Sequence, residues 1–205
     1  MILNYKKREE LLAKYDLPRP KTKLVKNEKE AIEEANAIGY PVVAKISSDQ
    51  HLHRTEINGV IVGIKSSQEL AEAFKKLIKV EGVEGIIIQD QVEGVEFIVG
   101  AKNDPSFGPV VMLGTGGTLV ELFKDVTFRV APIDKKEAKK MIEEIKGRKL
   151  LEGFRAYKSM DKEKLAEILS KTARLAFEEE VKELDFNPVI ANDDQILICD
   201  VKIVL

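Results

Sequence analysis

A chain of 205 residues with 44% apolar side chains can bury a core without staples, and its 33 basic and 35 acidic residues leave a formal net charge of -2. So balanced a charge offers no field for nucleic acid or an anionic membrane surface. The single cysteine, Cys199, rules out an internal disulfide. No run of about eighteen apolar residues marks a membrane span, and the start, Met1 to Glu10, lacks an apolar signal core. A reducing, cytoplasmic setting is expected. Lys- and Glu-rich charge at 33%, with no Trp, fits a heat-adapted source.

Helix and strand signals alternate along the chain. Leu11, Leu12 and Tyr15 set a helical spacing over 6–16, which Pro18 and Pro20 end. Lys21 to Val25 reads as a short strand. Asn27 with Glu30 opens a capped helix that carries Ala31, Ala35 and Ile38 on one face, and Gly39 stops it. Pro41 to Ile46 is a buried strand. Ser47 to Asn58 is a polar loop with both histidines, and Gly59 to Ile64 is the next strand. Ser66 with Glu69 is a capping box opening a helix to about Val80. Strands follow near 85–91, 94–102, 108–114 and 126–131. Asp134 with Glu137 opens a helix to about Ile145, and Asp161 a longer one to about Glu179. A last strand runs from Gln195 to Val204. This order predicts an α+β chain in two associated lobes, 1–84 and 85–205, with strands 85–114 as a meander and hairpin turns at 93–94, 103–105 and 192–194.

Several groups have the chemistry of a site. Glu183, Asp185 and Asn187 precede a strand that carries Asp200. If 192–194 is a hairpin turn, Asn187 and Asp200 lie on neighbouring strands and present oxygens to one hard cation; an acidic strand end at the surface is the plainer reading. Lys45 in an apolar strand needs a partner or a phosphate, unless it emerges at the strand end with only its stem buried. Gly114-Thr-Gly-Gly117 could turn backbone N–H groups towards an anion or form a tight turn; it lacks the Walker spacing. Gln89 ends an apolar strand with groups suited to a purine edge, and Glu96 could accept bonds from ribose hydroxyls. His53 sits on a loop long enough to reach chemistry elsewhere. Two histidines at i, i+2 without further ligands argue against zinc.

Taken together, Gly39–Lys45, His53–Val60, Gly94–Gly100, Asp104–Met112, Gly114–Gly117, Lys124–Pro132 and Glu183–Val189 resemble the ATP-grasp β subunit of ADP-forming acyl-CoA synthetases, relatives of succinyl-CoA synthetase. The similarity runs from about Leu12 to the last residue. It implies an ATP-grasp fold of two α+β lobes clamping a nucleotide. By the same resemblance Lys45 contacts nucleotide phosphates, Gln89, Asp90, Gln91 and Val92 form the adenine hinge, and Glu96 holds ribose. Asn187 and Asp200 are implied to bind Mg2+, and His53 to carry phosphate to the nucleotide. Arg129 and Lys202 neighbour these positions without an assigned role.

The implied reaction is acyl-CoA + ADP + phosphate giving acid, CoA and ATP. It requires a CoA-binding α subunit, with an α2β2 heterotetramer as the expected form. The sequence departs from the family pattern at Thr115, where an apolar residue is usual, at Asn58 and His51 in the loop, and at Lys202, where arginine is usual. A nucleotide-binding regulatory module and another ATP-grasp carboxylate ligase are the alternative functions.

Overall fold

A computed structural model describes residues 1–48, 57–117, 124–153 and 158–205. The chain divides into two compact units. One is Arg19–Val92 with Asn4–Lys6; the other is Met1–Leu3, Lys7–Pro18 and Glu93–Leu205.

In the first unit, β1 (Thr22–Val25), α2 (Glu28–Ile38), β2 (Val42–Ser47), β3 (Val60–Ile64), α3 (Ser67–Leu77) and β4 (Gly85–Asp90) build an antiparallel sheet in the order β1-β4-β2-β3. The helices preceding and following β2 and β3 form because each has a capped start and one apolar stripe. Asn27 and Ser66 accept the N–H groups of Glu30 and Glu69, and Leu70, Ala73, Phe74 and Leu77 recur at helical spacing on α3. That stripe meets Val42, Ala44, Ile46, Ile86 and Ile88 on one sheet face. The alternate residues, Val43, Lys45, Ile87 and Gln89, therefore belong to the opposite face.

In the second unit, β5 (Val95–Asp104), β6 (Gly108–Thr115), β7 (Val126–Val130), β8 (Glu183–Ala191), β9 (Ile196–Ile198) and β10 (Val201–Val204) form a second antiparallel sheet, ordered β10-β8-β5-β6-β7 with β9 also on β8. The helices are α1 (Tyr5–Lys14), α4 (Lys135–Glu144), the short α5 (Arg148–Leu151) and α6 (Lys162–Glu178). Asp134 and Asp161 cap α4 and α6. Phe97, Val99, Leu113 and Phe186 pack with Met141, Ile142, Leu165 and Leu169 of these helices. Each such large apolar side chain contributes about 1.5–3 kcal/mol of burial.

Three expectations need correction. The division falls after Val92, not at residue 84, because β4 pairs with β1 and β2 of the first sheet. For the same reason 85–114 is not one meander and 93–94 is not a hairpin turn; the meander is β5-β6-β7. The last strand is two, β9 and β10, separated by Cys199 and Asp200. The turns at 103–105 and 192–194 do join hairpins. Asp104 Oδ1 accepts from the N–H groups of Ser106 and Phe107, and Asn192 Oδ1 from those of Asp194 and Gln195.

Candidate nucleotide and metal site

Lys45 lies in the middle of β2, with Ile87 on one side and Val60 on the other. It is only 7% exposed, so it does not emerge at a strand end. Gln89 stands opposite Val43 on the same sheet face and is 6% exposed. The two are diagonal cross-strand neighbours, an ammonium and a carboxamide among Val43 and Ile87. A buried ammonium is costly unless it meets oxygen, which is what a phosphate-binding lysine would use.

The chain at the end of β4 is held at both sides. The backbone N–H of Asp90 donates to the Lys21 carbonyl at 2.9 Å and that of Gln91 to the Pro41 carbonyl at 3.4 Å. Gln91 Oε1 accepts from the Gly63 N–H at 2.6 Å. Sequence reasoning missed this anchor, although a glycine inside Val-Ile-Val-Gly-Ile signals it. β3 carries one residue more than β2 between the Val42 and Ala44 pairings, and Gly63 takes the left-handed φ of +72° that this bulge needs. The side-chain oxygen of Gln91 thus ties the end of β4 to β3.

In the second unit, Glu96 is exposed on β5, opposite Ile190 of β8. Its neighbours are set by close approaches that only glycine allows. A Cβ at Gly94 would stand 2.2 Å from the Ala191 carbonyl oxygen, and one at Gly116 would lie 2.7 Å from the Glu96 carbonyl carbon. The Gly116 N–H donates to the Glu96 carbonyl at 2.7 Å. Of the Gly114–Gly117 run, Gly114 and Thr115 are the end of β6, and Gly116 is the point where the chain rides over Glu96.

Asn187 and Asp200 are brought together. The Asn187 N–H donates to the Asp200 carbonyl at 3.3 Å, and the Cys199 N–H to the Pro188 carbonyl at 2.9 Å. β8 bulges here, since Phe97 pairs with Val189 but Val99 with Phe186, and the Asn187–Pro188 peptide is cis. Leu184, Phe186, Val189 and Ala191 face the core. Asp185 and Asn187 therefore lie on the opposite face, as does Glu96, whose strand neighbours Phe97 and Val99 are in the core. A groove of about 510 Å3 follows this face, lined by Gly100, Met112, Phe128, Glu183 and Asp185 among others. Lys202 pairs with Glu183 at 2.6 Å. Arg129 is committed to the interior-facing side of β7, where it donates to Glu137 at 2.7 Å and binds both oxygens of Glu144; these hydrogen bonds, Glu144 first, hold its guanidinium above the ordinary arginine range.

Among the described residues no group of three or more His, Cys, Asp and Glu side chains could hold a metal. His53 lies outside the described residues. Cys199 is buried, as a small core residue would be.

The family model described as an ATP-grasp domain matches residues 1–205. The chain belongs to the ATP-grasp family. It is 42% identical, over 206 residues, to the β subunit of the ADP-forming acetate–CoA ligase I of Pyrococcus furiosus, covering 96% of this chain and 89% of that protein. This ATP-grasp chain is also 45% identical over 191 residues to the ADP-forming 4-hydroxybutyrate–CoA ligase of Nitrosopumilus maritimus, covering 89% of this chain but 27% of that protein. Acetyl-coenzyme A synthetase 1 of Ca. Korarchaeum cryptofilum superposes with a TM-score of 0.84 at 39% identity, over 99% of this chain and 92% of that one. That protein was solved with coenzyme A and Mg-AMPPCP, its phosphohistidine segment pointing towards the nucleotide-binding site. The ATP-grasp domain seen here is thus of the ADP-forming acyl-CoA synthetase kind. No helix among the described residues is long and apolar enough to cross a membrane.

Proposed function

We propose that this chain is the nucleotide-binding β subunit of an ADP-forming acyl-CoA synthetase, forming ATP from ADP and a phosphate delivered on a histidine. The observation that carries the reading is the backbone hydrogen bond from Asn187 to Asp200 at the β8 bulge, with Asn187 on the non-core face of the sheet that also bears Glu96. The family resemblance would add Lys45 and residues 89–92 as contacts to phosphate and base.

The donor set fits Mg2+. Asn187 and Asp200 offer oxygen only, and Mg2+ is commonly held by one or two protein groups, with phosphate and water completing its shell. When bound, the ion would neutralise charge on the phosphate oxygens. Lys45 would bind those oxygens directly, its low exposure strengthening the contact. Gln89, Asp90 and Val92, steadied by Gln91, would orient the base, and Glu96 would accept from the ribose hydroxyls. In the transfer, the N–P bond of phosphorylated His53, its other ring nitrogen protonated, would break as a β-phosphate oxygen of ADP forms the new O–P bond, leaving neutral imidazole and ATP.

The proposal extends to a cytoplasmic location and to a CoA-binding α subunit in an α2β2 assembly, which would generate the acyl phosphate and load His53. A regulatory nucleotide-binding role is the second reading; it keeps Lys45, Glu96, Asn187 and Asp200 but does not use His53. Calorimetric titration of ADP into the chain with and without Mg2+ tests the nucleotide site. Mg2+ should tighten ADP binding in the wild type and not in Asp200→Ala or Asn187→Ala. Equal Mg2+ dependence in all three would refute the metal assignment.

A further inference from the structure

The end of β6 is tied down by an arrangement that the nucleotide site itself does not require. The Thr115 hydroxyl donates to Asp125 Oδ2, and the Thr115 N–H donates to the Asp125 carbonyl at 3.1 Å. The same carboxylate accepts the N–H groups of Lys146 at 2.7 Å and Gly147 at 2.8 Å, where the chain turns into α5. Gly147 is the notch in which the threonine sits. A Cβ there would stand 2.0 Å from Thr115 Oγ1 and 3.0 Å from its Cβ. One carboxylate therefore joins three segments: the end of β6, the start of β7 and the α4–α5 turn.

Thr115 is followed at once by Gly116, whose N–H holds the Glu96 carbonyl and whose Cα admits no side chain. At Gly117 a Cβ would lie 3.6 Å from Glu96 Oε2, so the carboxylate rests over this run. Thr115 is bonded directly to Gly116, so the placement of residue 115 bears on the backbone against which Glu96 is set, where there is no room for a side chain. The Thr115 hydroxyl is the side-chain half of the tie between that backbone and Asp125, beside the Thr115 N–H. An apolar residue at 115 could fill the notch but could not donate to Asp125.

We propose that Thr115 and Asp125 form a positioning latch that fixes the glycine run over Glu96 and thereby sets how strongly the site discriminates ribose hydroxyls. This rests on the reading that Glu96 accepts from the ribose. The latch residues do not touch the nucleotide; they act through Gly116.

The test is the ratio of the dissociation constants of 2′,3′-dideoxy-ADP and ADP, measured calorimetrically with Mg2+ on the intact chain, with melting temperature as a check on folding. The wild type should prefer ADP by about tenfold, as one charge-assisted hydrogen bond supports, and Glu96→Ala should abolish the preference. Thr115→Val, which keeps the shape and removes the donor, should lower the ratio at least threefold at full occupancy of the folded state, and Thr115→Ser should restore it. Asp125→Asn provides a second probe if Thr115→Val melts too low to titrate; it should lower the ratio in the same way.

A ratio unchanged in Thr115→Val and Asp125→Asn but lost in Glu96→Ala would overturn the latch and leave the ribose assignment standing. A wild-type ratio near one, or one unaffected by Glu96→Ala, would overturn the ribose assignment and with it the latch's role. A uniform loss of affinity for both nucleotides, with the ratio preserved, would show that Thr115 is only structural.

Discussion

Replacing Lys45 by methionine distinguishes a ligand-binding lysine from a structural one, because the two predict opposite results. The residue is mid-strand, 7% exposed, and stands beside Val43 and Ile87. Methionine keeps most of the stem's volume and removes the charge. If the ammonium is there for phosphate, the loss appears in Mg-ADP binding by the folded chain, separately from any change in unfolding free energy that removing a buried charge brings.

Binding should respond quite differently. A charge-assisted hydrogen bond to phosphate contributes about 1.5–3 kcal/mol, which at about 1.4 kcal/mol per decade is roughly a ten- to 150-fold loss of Mg-ADP affinity. Urea unfolding and calorimetric titration on the same preparations read both quantities. A variant destabilised by several kcal/mol whose remaining folded fraction binds Mg-ADP normally would refute the phosphate role.

Two further outcomes follow from packing and charge. Gly94→Ala places a Cβ 2.2 Å from the Ala191 carbonyl oxygen, so β5 and β8 must separate where Glu96 begins. We expect a loss of about 1–3 kcal/mol, seen as a lower melting temperature, together with weaker ADP binding; an unshifted melting curve would contradict the geometry. The Asp125 carboxyl is pushed up by burial, but hydrogen bonds from Thr115, Lys146 and Gly147, with the Lys146 charge, outweigh this and hold it below the ordinary aspartate range. Its folded pKa is depressed, so its stabilisation is full above the ordinary aspartate pKa of about 3.9 and is lost as pH falls through the folded value. Urea midpoints measured from neutral pH down into the acid range should therefore fall less for Asp125→Asn than for the wild type, and parallel curves would refute the argument.

The sequence made the local structure legible where a single residue type has a single use. Asn27, Ser66, Asp134 and Asp161 were readable as helix starts because their side chains satisfy N–H groups that a helix leaves open. It was less informative about partners in space. β4 is an unbroken apolar strand, Gly-Ile-Ile-Ile-Gln-Asp, and nothing local says whether it joins the strand before it or after it; its two-sided pairing with β1 and β2 moved the division from 84 to 92. The pairing of Asn187 with Asp200 was legible from the turn at 192–194, but the break at Cys199 and Asp200 was not, because it answers a bulge in β8 whose register is tertiary. Thr115 stood out as a polar residue where the family is apolar. Its partner Asp125, across a segment outside the described residues, could come only from coordinates.

Mixing the purified chain with the proposed CoA-binding subunit, acetyl-CoA, phosphate, Mg2+ and ADP, and comparing ATP formation by the wild type with that by His53→Ala, tests the phosphohistidine relay most directly. ATP is expected from the wild type and none above background from the variant, with Mg-ADP binding intact in both. Equal ATP formation by the two would contradict the phosphohistidine relay.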